Sequence, residues 1–325
     1  MPKKTVIDEV VPKTPKIMTY AAPTPGQRAL PLTQDSESED EGGRTVEGGN
    51  CCWSWWYGRS DPNHIGDPWF GGDHDTDGVT RVLLIACDYP GLYDSLTCVE
   101  KMTPKMEELC RKCQIQDVKR LYNRDVTKSK ITSAIQALGE RCGSADRVLI
   151  YFLGHGSSVG QDSDGDEEDG TDEELCLMSE DGTEYDYFRD DDWAVLLTSA
   201  IPRNNDITMI TDCCNSGTMA DTGKDIWRGR NAVNIAACKD EESGMDVGGL
   251  SLYTECVYQV CCSMENMQED GFFSVDQAYK MVCNYYNESW RTKMGGAVQN
   301  IQMECHDSCD FQHMLWPLNP KLAIG

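Results

Sequence analysis

Two residues of this chain, His155 and Cys214, combine reactive side chains with positions that suit catalysis. Each comes just after a short apolar run, His155 between two glycines and Cys214 behind Asp212 and Cys213. A cysteine thiol is mostly protonated at neutral pH, and a nearby imidazole can remove its proton to create a nucleophilic thiolate. Backbone N–H groups around Gly156 and Cys214 could bind the oxyanion that develops on an attacked carbonyl. The pair therefore predicts nucleophilic catalysis by a cysteine.

The elements around these residues alternate between short apolar runs and segments of helical periodicity, which predicts an α/β fold with a mostly parallel sheet. The predicted strands cover residues 82–86, 118–121, 148–153, 207–210 and 232–237, with a last extended piece at 298–304. The predicted helices cover residues 95–115, 127–140, 190–199, 249–264 and 274–290. Reactive groups of such sheets gather at the carboxyl ends of the strands. We therefore expect His155 and Cys214 to face each other, provided that their strands are neighbours.

Composition excludes several classes of partner. The 325 residues include 39% hydrophobic residues, enough for a substantial core, and carry a formal net charge of −26. This charge repels phosphates and anionic lipid, so nucleic acid and membrane surfaces are not expected partners. The sequence shows neither a secretory signal nor an apolar run that could span a membrane. With 17 cysteines, several of them inside apolar runs, the sequence indicates a soluble, cytoplasmic protein with reduced thiols.

The N-terminal segment, residues 1–78, is predicted to be a disordered tail rich in proline and acidic residues. Within it, the aromatic residues at 51–57 either pack on the folded domain or dock to a partner. The acids of Asp73–Gly78 resemble the start of an EF-hand loop, but the twelfth position holds Leu84, where a glutamate is needed. We interpret this stretch as a turn that enters the first strand.

The stretches Tyr151–Gly156 and Asp212–Gly217 resemble the two catalytic motifs of metacaspases, in the caspase-like peptidase superfamily. Other parts of the chain resemble further metacaspase segments, in the same order: the acidic residues 164–173, Asp190–Trp193, residues 236–243, Gly248–Leu250 and Trp316–Leu318. The resemblance covers roughly residues 79–320 and is specific, because the motifs occur together and in sequence. It also identifies Cys214, rather than Cys213, as the reactive cysteine.

What the resemblance implies is a caspase-like α/β/α sandwich over residues 79–325, divided into a large-subunit-like part (79–222) and a small-subunit-like part (223–325). It implies a monomeric cysteine endopeptidase that acts on peptides or proteins and cleaves after arginine or lysine. It also implies self-processing, with candidate sites at Lys224, Arg228 and Arg230. It further implies these roles: His155 as base, Cys214 as nucleophile, Asp212 and Gly156 as substrate-binding residues, and Asp172, Asp190, Asp191 and Asp221 as calcium ligands. Hard oxygen ligands of this kind suit Ca²⁺.

Three positions depart from the metacaspase pattern. Leu153 stands where the family usually has serine, and Asn215 replaces a histidine after the nucleophile. Lys101 stands where an acid of the specificity pocket is usual, and a lysine there would repel a basic substrate side chain. These departures leave open an inactive caspase-like scaffold that binds calcium and a partner. A zinc site is a separate alternative, built from Cys110, Cys113, Cys305, His306 and Cys309.

Overall fold

The computed structural model describes residues 78–159, 172–267, 273–291, 293–294 and 299–320. The predictions for the N-terminal tail, its aromatic segment and the Asp73–Gly78 turn lie outside the described residues, except at Gly78 itself. Most of the acidic loop after His155 lies outside them as well.

The described part contains nine strands and five α-helices. The strands are β1 (Thr80–Ala86), β2 (Asp117–Tyr122), β3 (Arg147–Leu153), β4 (Gly156–Val159), β5 (Asp172–Met178), β6 (Tyr185–Arg189), β7 (Asp206–Asp212), β8 (Ala232–Ala236) and β9 (Gln302–Glu304). The helices are α1 (Val99–Lys112), α2 (Lys128–Arg141), α3 (Asp190–Ala200), α4 (Leu252–Met264) and α5 (Val275–Tyr286). Short 3₁₀ turns at Asn123–Asp125 and Asp225–Trp227 and a π-helical turn at Asn287–Arg291 complete the regular structure.

The main sheet has six strands in the order β2-β1-β3-β7-β8-β9. All neighbouring pairs are parallel except β8 with β9, which are antiparallel. The prediction of a mostly parallel sheet is therefore confirmed. β8 and β9, which follow residue 222, belong to the same sheet as the strands that precede it. The division into a large-subunit-like and a small-subunit-like part stays a proposal.

Helices cover both faces of this sheet and form two hydrophobic cores. Along β3, Tyr151 and Leu153 face the core formed with α1, α4 and α5, whereas Ile150 and Phe152 face the core formed with α2 and α3. Burial on both sides explains why β3 is a continuous apolar run rather than an alternating one. The expected α/β/α sandwich with a mostly parallel central sheet is the observed architecture.

Helix starts follow local rules that the sequence contains. Thr127, Ser251 and Ser274 cap α2, α4 and α5 through side-chain oxygens that accept backbone N–H groups, and Ser274 forms a full capping box with Gln277. The start of α1 instead binds Asp88, whose Oδ1 accepts from the N–H groups of Cys98 and Val99 at 2.9 and 3.0 Å. This contact fixes the loop between β1 and α1 against the sheet edge.

A second, antiparallel sheet of β4, β5 and β6 was not predicted. The sequence after His155 reads as a solvated acidic loop, yet Asp172, Glu173 and Glu174 begin β5 and are buried, at 1%, 2% and 9% exposure. β4 and β6 flank β5 and cover these acids. Composition alone gives no sign of this, because charged residues are rarely buried. Among the described residues, no helix combines the length and apolar character needed to cross a bilayer.

Candidate active site

His155 and Cys214 follow adjacent strands of the main sheet. β3 and β7 pair in parallel with Leu153 opposite Asp212, and the Gly154 N–H donates to the Asp212 carbonyl at 3.2 Å. The two loops then pack directly on each other: a Cβ at Gly156 would lie 2.0 Å from the Cys214 carbonyl oxygen. Glycine is thus required where the histidine-bearing turn meets the cysteine-bearing turn. The structure brings together the two residues that the sequence singled out.

The His155 ring is held by the loop between β1 and α1. Its Nε2 lies 2.7 Å from the Asp94 carbonyl oxygen and 3.9 Å from the Asp94 carboxylate. A carbonyl oxygen can only accept, so Nε2 carries the proton and Nδ1 keeps its lone pair. An imidazolium formed by protonation of Nδ1 would be stabilised by the Asp94 carboxylate. The ring is therefore set up as a general base through Nδ1.

Tyr89 contacts both the ring and the backbone of His155 and so fixes its position. Its ring stacks on the imidazole with centroids 4.8 Å apart, and its hydroxyl accepts from the His155 N–H at 2.7 Å. The same hydroxyl donates to the Cys176 carbonyl at 2.8 Å, and Tyr89 is fully buried. Tyr185 also contacts this region, with its hydroxyl 3.4 Å from the Asp94 carbonyl. Nothing in the sequence marks these residues except their position after β1 and in β6.

We predict that Tyr89→Phe lowers the free energy of unfolding by about 2 kcal/mol, because two buried hydrogen bonds are lost. It should also reduce peptide cleavage, since the histidine backbone loses its anchor. Chemical denaturation and steady-state kinetics measure the two effects. Tyr185→Phe is the matched control, because its hydroxyl makes only the long contact at 3.4 Å. Equal losses from the two variants would contradict a special role for Tyr89.

Cys214 is partly exposed, whereas its neighbour Cys213 is buried at 3% exposure. Burial raises the pKa of the Cys214 thiol, and hydrogen bonds from the Gly244 backbone and the Ser243 side chain oppose this rise. Burial raises the pKa of Cys213 well above its usual range. With a raised pKa, Cys214 rests as a thiol and needs a base for activation. Ser243 and Gly244 lie on the loop after β8. Ser243 ends the stretch 236–243 that resembles a metacaspase segment, but neither residue is among the predicted site residues.

Asp212 lies at the end of β7 beneath this pair and is 5% exposed. The hydroxyls of Ser251 and Thr254, at the start of α4, both donate to its Oδ2. Burial raises the pKa of Asp212 to about 6, despite these hydrogen bonds. The carboxyl group therefore changes charge just below neutral pH.

The two departures around the expected specificity pocket have separate structural environments. Leu153 is buried at 3% exposure in the core beneath α1 and α4. Lys101 is exposed, and its ammonium donates to the Gly248 carbonyl on the loop before α4. The lysine thus ties that loop to α1.

Three of the four expected calcium ligands form one group. One carboxylate oxygen each from Asp190, Asp191 and Asp221 lies within 4.8 Å of the others. Asp190 and Asp221 are each 1% exposed. Asp190 and Asp191 begin α3, and Asp190 accepts from the N–H groups of Glu173 and Asp191, both at 2.9 Å. The fourth, Asp172, forms an ion pair with Arg189.

This donor set fits a hard divalent cation. Carboxylate oxygens are the ligands that Ca²⁺ prefers, and three carboxylates this close repel one another unless a cation lies between or beside them. The zinc alternative finds no such support in the described part of the chain. Among the described residues, the one group of histidine, cysteine or acidic side chains close enough to share an ion is that of the three aspartates, and it contains none of the five zinc candidates. Cys305 and Cys309 are free thiols joined by a hydrogen bond.

The fold and the adjacent histidine and cysteine fit a cysteine-type peptidase domain. Residues 80–223 match the family model described as metacaspase, peptidase C14 domain. This part of the chain is therefore similar to metacaspase peptidase domains.

Several metacaspases from other organisms are similar in sequence to this chain. The chain is 26% identical over 167 residues to metacaspase-1 of Arabidopsis thaliana, covering 45% of each chain. It is 28% identical over 207 residues to metacaspase-2 of the same plant, covering 54% of this chain and 48% of the relative. The match to metacaspase-1 of Yarrowia lipolytica is 29% over 153 residues, covering 44% and 32%. The matches thus span a third to a half of these relatives.

Among solved structures, protein GSU0716 from Geobacter sulfurreducens has a similar fold. Its TM-score is 0.54 at 17% identity, over 74% of this chain and 98% of that chain. At this identity the likeness concerns the fold alone.

Proposed function

We propose that this protein is a calcium-dependent cysteine endopeptidase that uses Cys214 and His155 as its catalytic pair. The observation that carries the proposal is the fixed orientation of His155 at the end of β3, beside the end of β7. With Nε2 donating to the Asp94 carbonyl, Nδ1 is the nitrogen available to Cys214. We include in the proposal that the protein is a cytoplasmic monomer acting on peptide or protein substrates.

The reaction begins when His155 Nδ1 takes the proton from the Cys214 thiol. The sulfur attacks the carbonyl carbon of the scissile peptide bond and forms a tetrahedral oxyanion, which backbone N–H groups at Gly156 and Cys214 stabilise. The C–N bond then breaks, and the leaving amine takes the proton from Nδ1. Water, deprotonated by His155, hydrolyses the thioester and restores the thiol.

Asp190, Asp191 and Asp221 would hold the calcium ion, with Asp172 joining them if it leaves Arg189. The ion would supply positive charge that neutralises these carboxylates. Asp190 and Asp191 follow the last residue of β6 in the sequence, and Asp221 lies on the loop that follows Cys214. Neutralising them would stabilise the contact between the start of α3 and this loop.

Asp212 is proposed to bind the basic side chain of the residue before the cleaved bond. Both hydroxyl donors bind Oδ2, so the substrate cation would approach the other carboxylate oxygen. Self-processing between the two parts of the domain would follow the same preference. Of the three candidates, Arg228 has the most exposed side chain, at 66%. Arg230 instead donates to the carbonyls of Thr198 and Ile201.

The experiment that tests the proposal is a panel of fluorogenic peptides with arginine, lysine, aspartate or apolar residues before the scissile bond. Each is assayed with and without millimolar calcium, beside Cys214→Ala. Calcium-dependent cleavage after arginine or lysine, absent in the variant, supports the proposal in full. Cleavage after another residue contradicts the role of Asp212. A folded protein that binds calcium and cleaves no peptide would be the inactive scaffold, and mass spectrometry after calcium addition tests self-processing.

A pH profile tests the role of Asp212 separately. Its pKa is about 6, so the carboxyl group is charged above this pH and neutral below it. The ratio of kcat/KM for an arginine peptide to kcat/KM for an apolar peptide should fall to about a tenth of its plateau at pH 5. Taking the ratio cancels the effects of pH on the chemical steps, because these affect both substrates. Asp212→Asn should give a low, flat ratio, and a flat ratio in the unmodified protein would contradict the assignment.

A further inference from the structure

Lys224 places a positive charge on the proposed calcium site. Its ammonium nitrogen lies 3.0 Å from Asp221 Oδ1. Both carboxylate oxygens of Asp221 are shielded from solvent, whereas the Lys224 side chain is 24% exposed. A contact with a buried carboxylate is screened much less than a surface ion pair. Lys224 therefore contributes substantially to the electrostatic balance of the acidic group.

Hydrogen bonds of the surrounding backbone fix the position of Lys224 beside Asp221. The Lys224 N–H donates to the Asp221 carbonyl at 2.9 Å, and the Trp227 N–H donates to the Lys224 carbonyl at 3.0 Å. Trp227 is fully buried, and its indole nitrogen donates to the Ala220 carbonyl at 2.9 Å. Buried residues on both sides hold the turn, so the ammonium stays near Asp221.

A divalent cation and Lys224 both require the Asp221 carboxylate. Asp221 belongs to the group of three carboxylates, and its Oδ1 is the atom that Lys224 contacts. The three carboxylates carry a charge of −3 when ionised, and one ammonium neutralises a third of it. A divalent cation neutralises more and binds several oxygens at once, but the ammonium opposes its entry through like-charge repulsion.

We propose that Lys224 is an internal competitor of the divalent cation: it neutralises Asp221 when no cation is bound and must leave when one binds. This inference rests on the calcium site of the proposed function. The competition weakens the affinity for calcium and so raises the concentration at which the site fills. It also stabilises the cation-free fold, in which three carboxylates would otherwise repel one another.

The test is calcium titration by calorimetry of Lys224→Met in a Cys214→Ala background, which prevents self-cleavage. Without the competitor, affinity should rise about five- to tenfold, the size expected for the loss of a partly buried ion pair. The cation-free variant should also melt at a lower temperature than its parent, and added calcium should raise its melting temperature by more. Lys224→Gln repeats the measurement with a shorter neutral side chain.

Two controls isolate the charge. Lys224→Arg keeps it and should bind calcium like the parent. Lys280→Met removes a lysine from an ion pair with Asp276 at 2.9 Å, far along the chain from the acidic group, and should change nothing. If the parent binds calcium and Lys224→Met binds it equally or less tightly, this inference is wrong and the proposed function stands. If neither protein binds calcium, the calcium dependence of the proposed function is itself wrong.

Discussion

Replacing Cys214 with alanine is expected to lower kcat/KM for peptide cleavage by roughly 10³-fold or more, while the fold remains intact. In the proposed mechanism the sulfur forms the covalent bond to the substrate, and no other described thiol at the end of β7 combines exposure with a neighbouring base. Because the side chain is small and partly exposed, its removal leaves little cavity. Peptide hydrolysis and thermal unfolding, measured on the same preparation, check the two halves of this expectation.

Cys213→Ala provides the matched control, because the chain has two adjacent cysteines and only one is placed for catalysis. Cys213 is buried and its sulfur lies on the Gly156 side, where a Cβ at that glycine would come within 2.9 Å. Its loss should cost stability through a small cavity and leave most of the activity. Inactivation by Cys213→Ala with activity retained in Cys214→Ala would reverse the assignment of the nucleophile.

The positions of the catalytic pair could be predicted from the sequence because each depends on a simple physical rule. The short apolar runs at 148–153 and 207–210 alternate with segments of helical periodicity and so predict buried parallel strands, whose carboxyl ends lie at one edge of a sheet. The apolar runs do not show that β3 and β7 are neighbours in the sheet. Only the metacaspase resemblance, or the structure itself, makes them neighbours.

The groups that orient the base could not be predicted, because they act through the backbone. His155 is held by the Asp94 carbonyl, and any residue type at position 94 supplies a carbonyl. The hydroxyl of Tyr89 binds the His155 N–H, which likewise has no side-chain signature. Contacts of this kind depend on the path of a loop and not on residue type.

For the acidic stretch that enters β5, amino-acid composition suggests exposure to solvent, whereas the structure shows burial. Asp172, Glu173 and Glu174 continue a charge run and look solvated, yet they enter a buried strand. Each has a specific neighbour there: Asp172 pairs with Arg189, Glu173 accepts from the Thr218 hydroxyl at 2.8 Å, and Glu174 lies opposite Arg189 in the sheet. Paired partners make such burial tolerable, but the pairs join residues distant in sequence.

Asp190→Asn is expected to weaken calcium binding by at least about 100-fold, since even the loss of a group behind a metal ligand costs 10- to 100-fold. The amide keeps the size of the side chain but removes one of three charges that attract the cation. Without calcium, the lower repulsion with Asp191 and Asp221 is opposed by the loss of one of the two backbone N–H hydrogen bonds that Asp190 accepts, so we expect no gain in stability. With calcium, only the unmodified protein should gain stability and activity. Thermal unfolding and peptide hydrolysis across a calcium titration measure both.

Asp192→Asn is the control that separates the cation site from a general effect of charge. Asp192 is in the same first turn of α3, so both variants lose a similar interaction with the helix dipole. Its side chain is 62% exposed and pairs with Lys128 at 3.2 Å, outside the group of three carboxylates. Calcium should therefore stabilise Asp192→Asn as it does the unmodified protein. An equal loss of the calcium response in both variants would mean that the start of α3 acts through its overall charge and that Asp190 is no ligand.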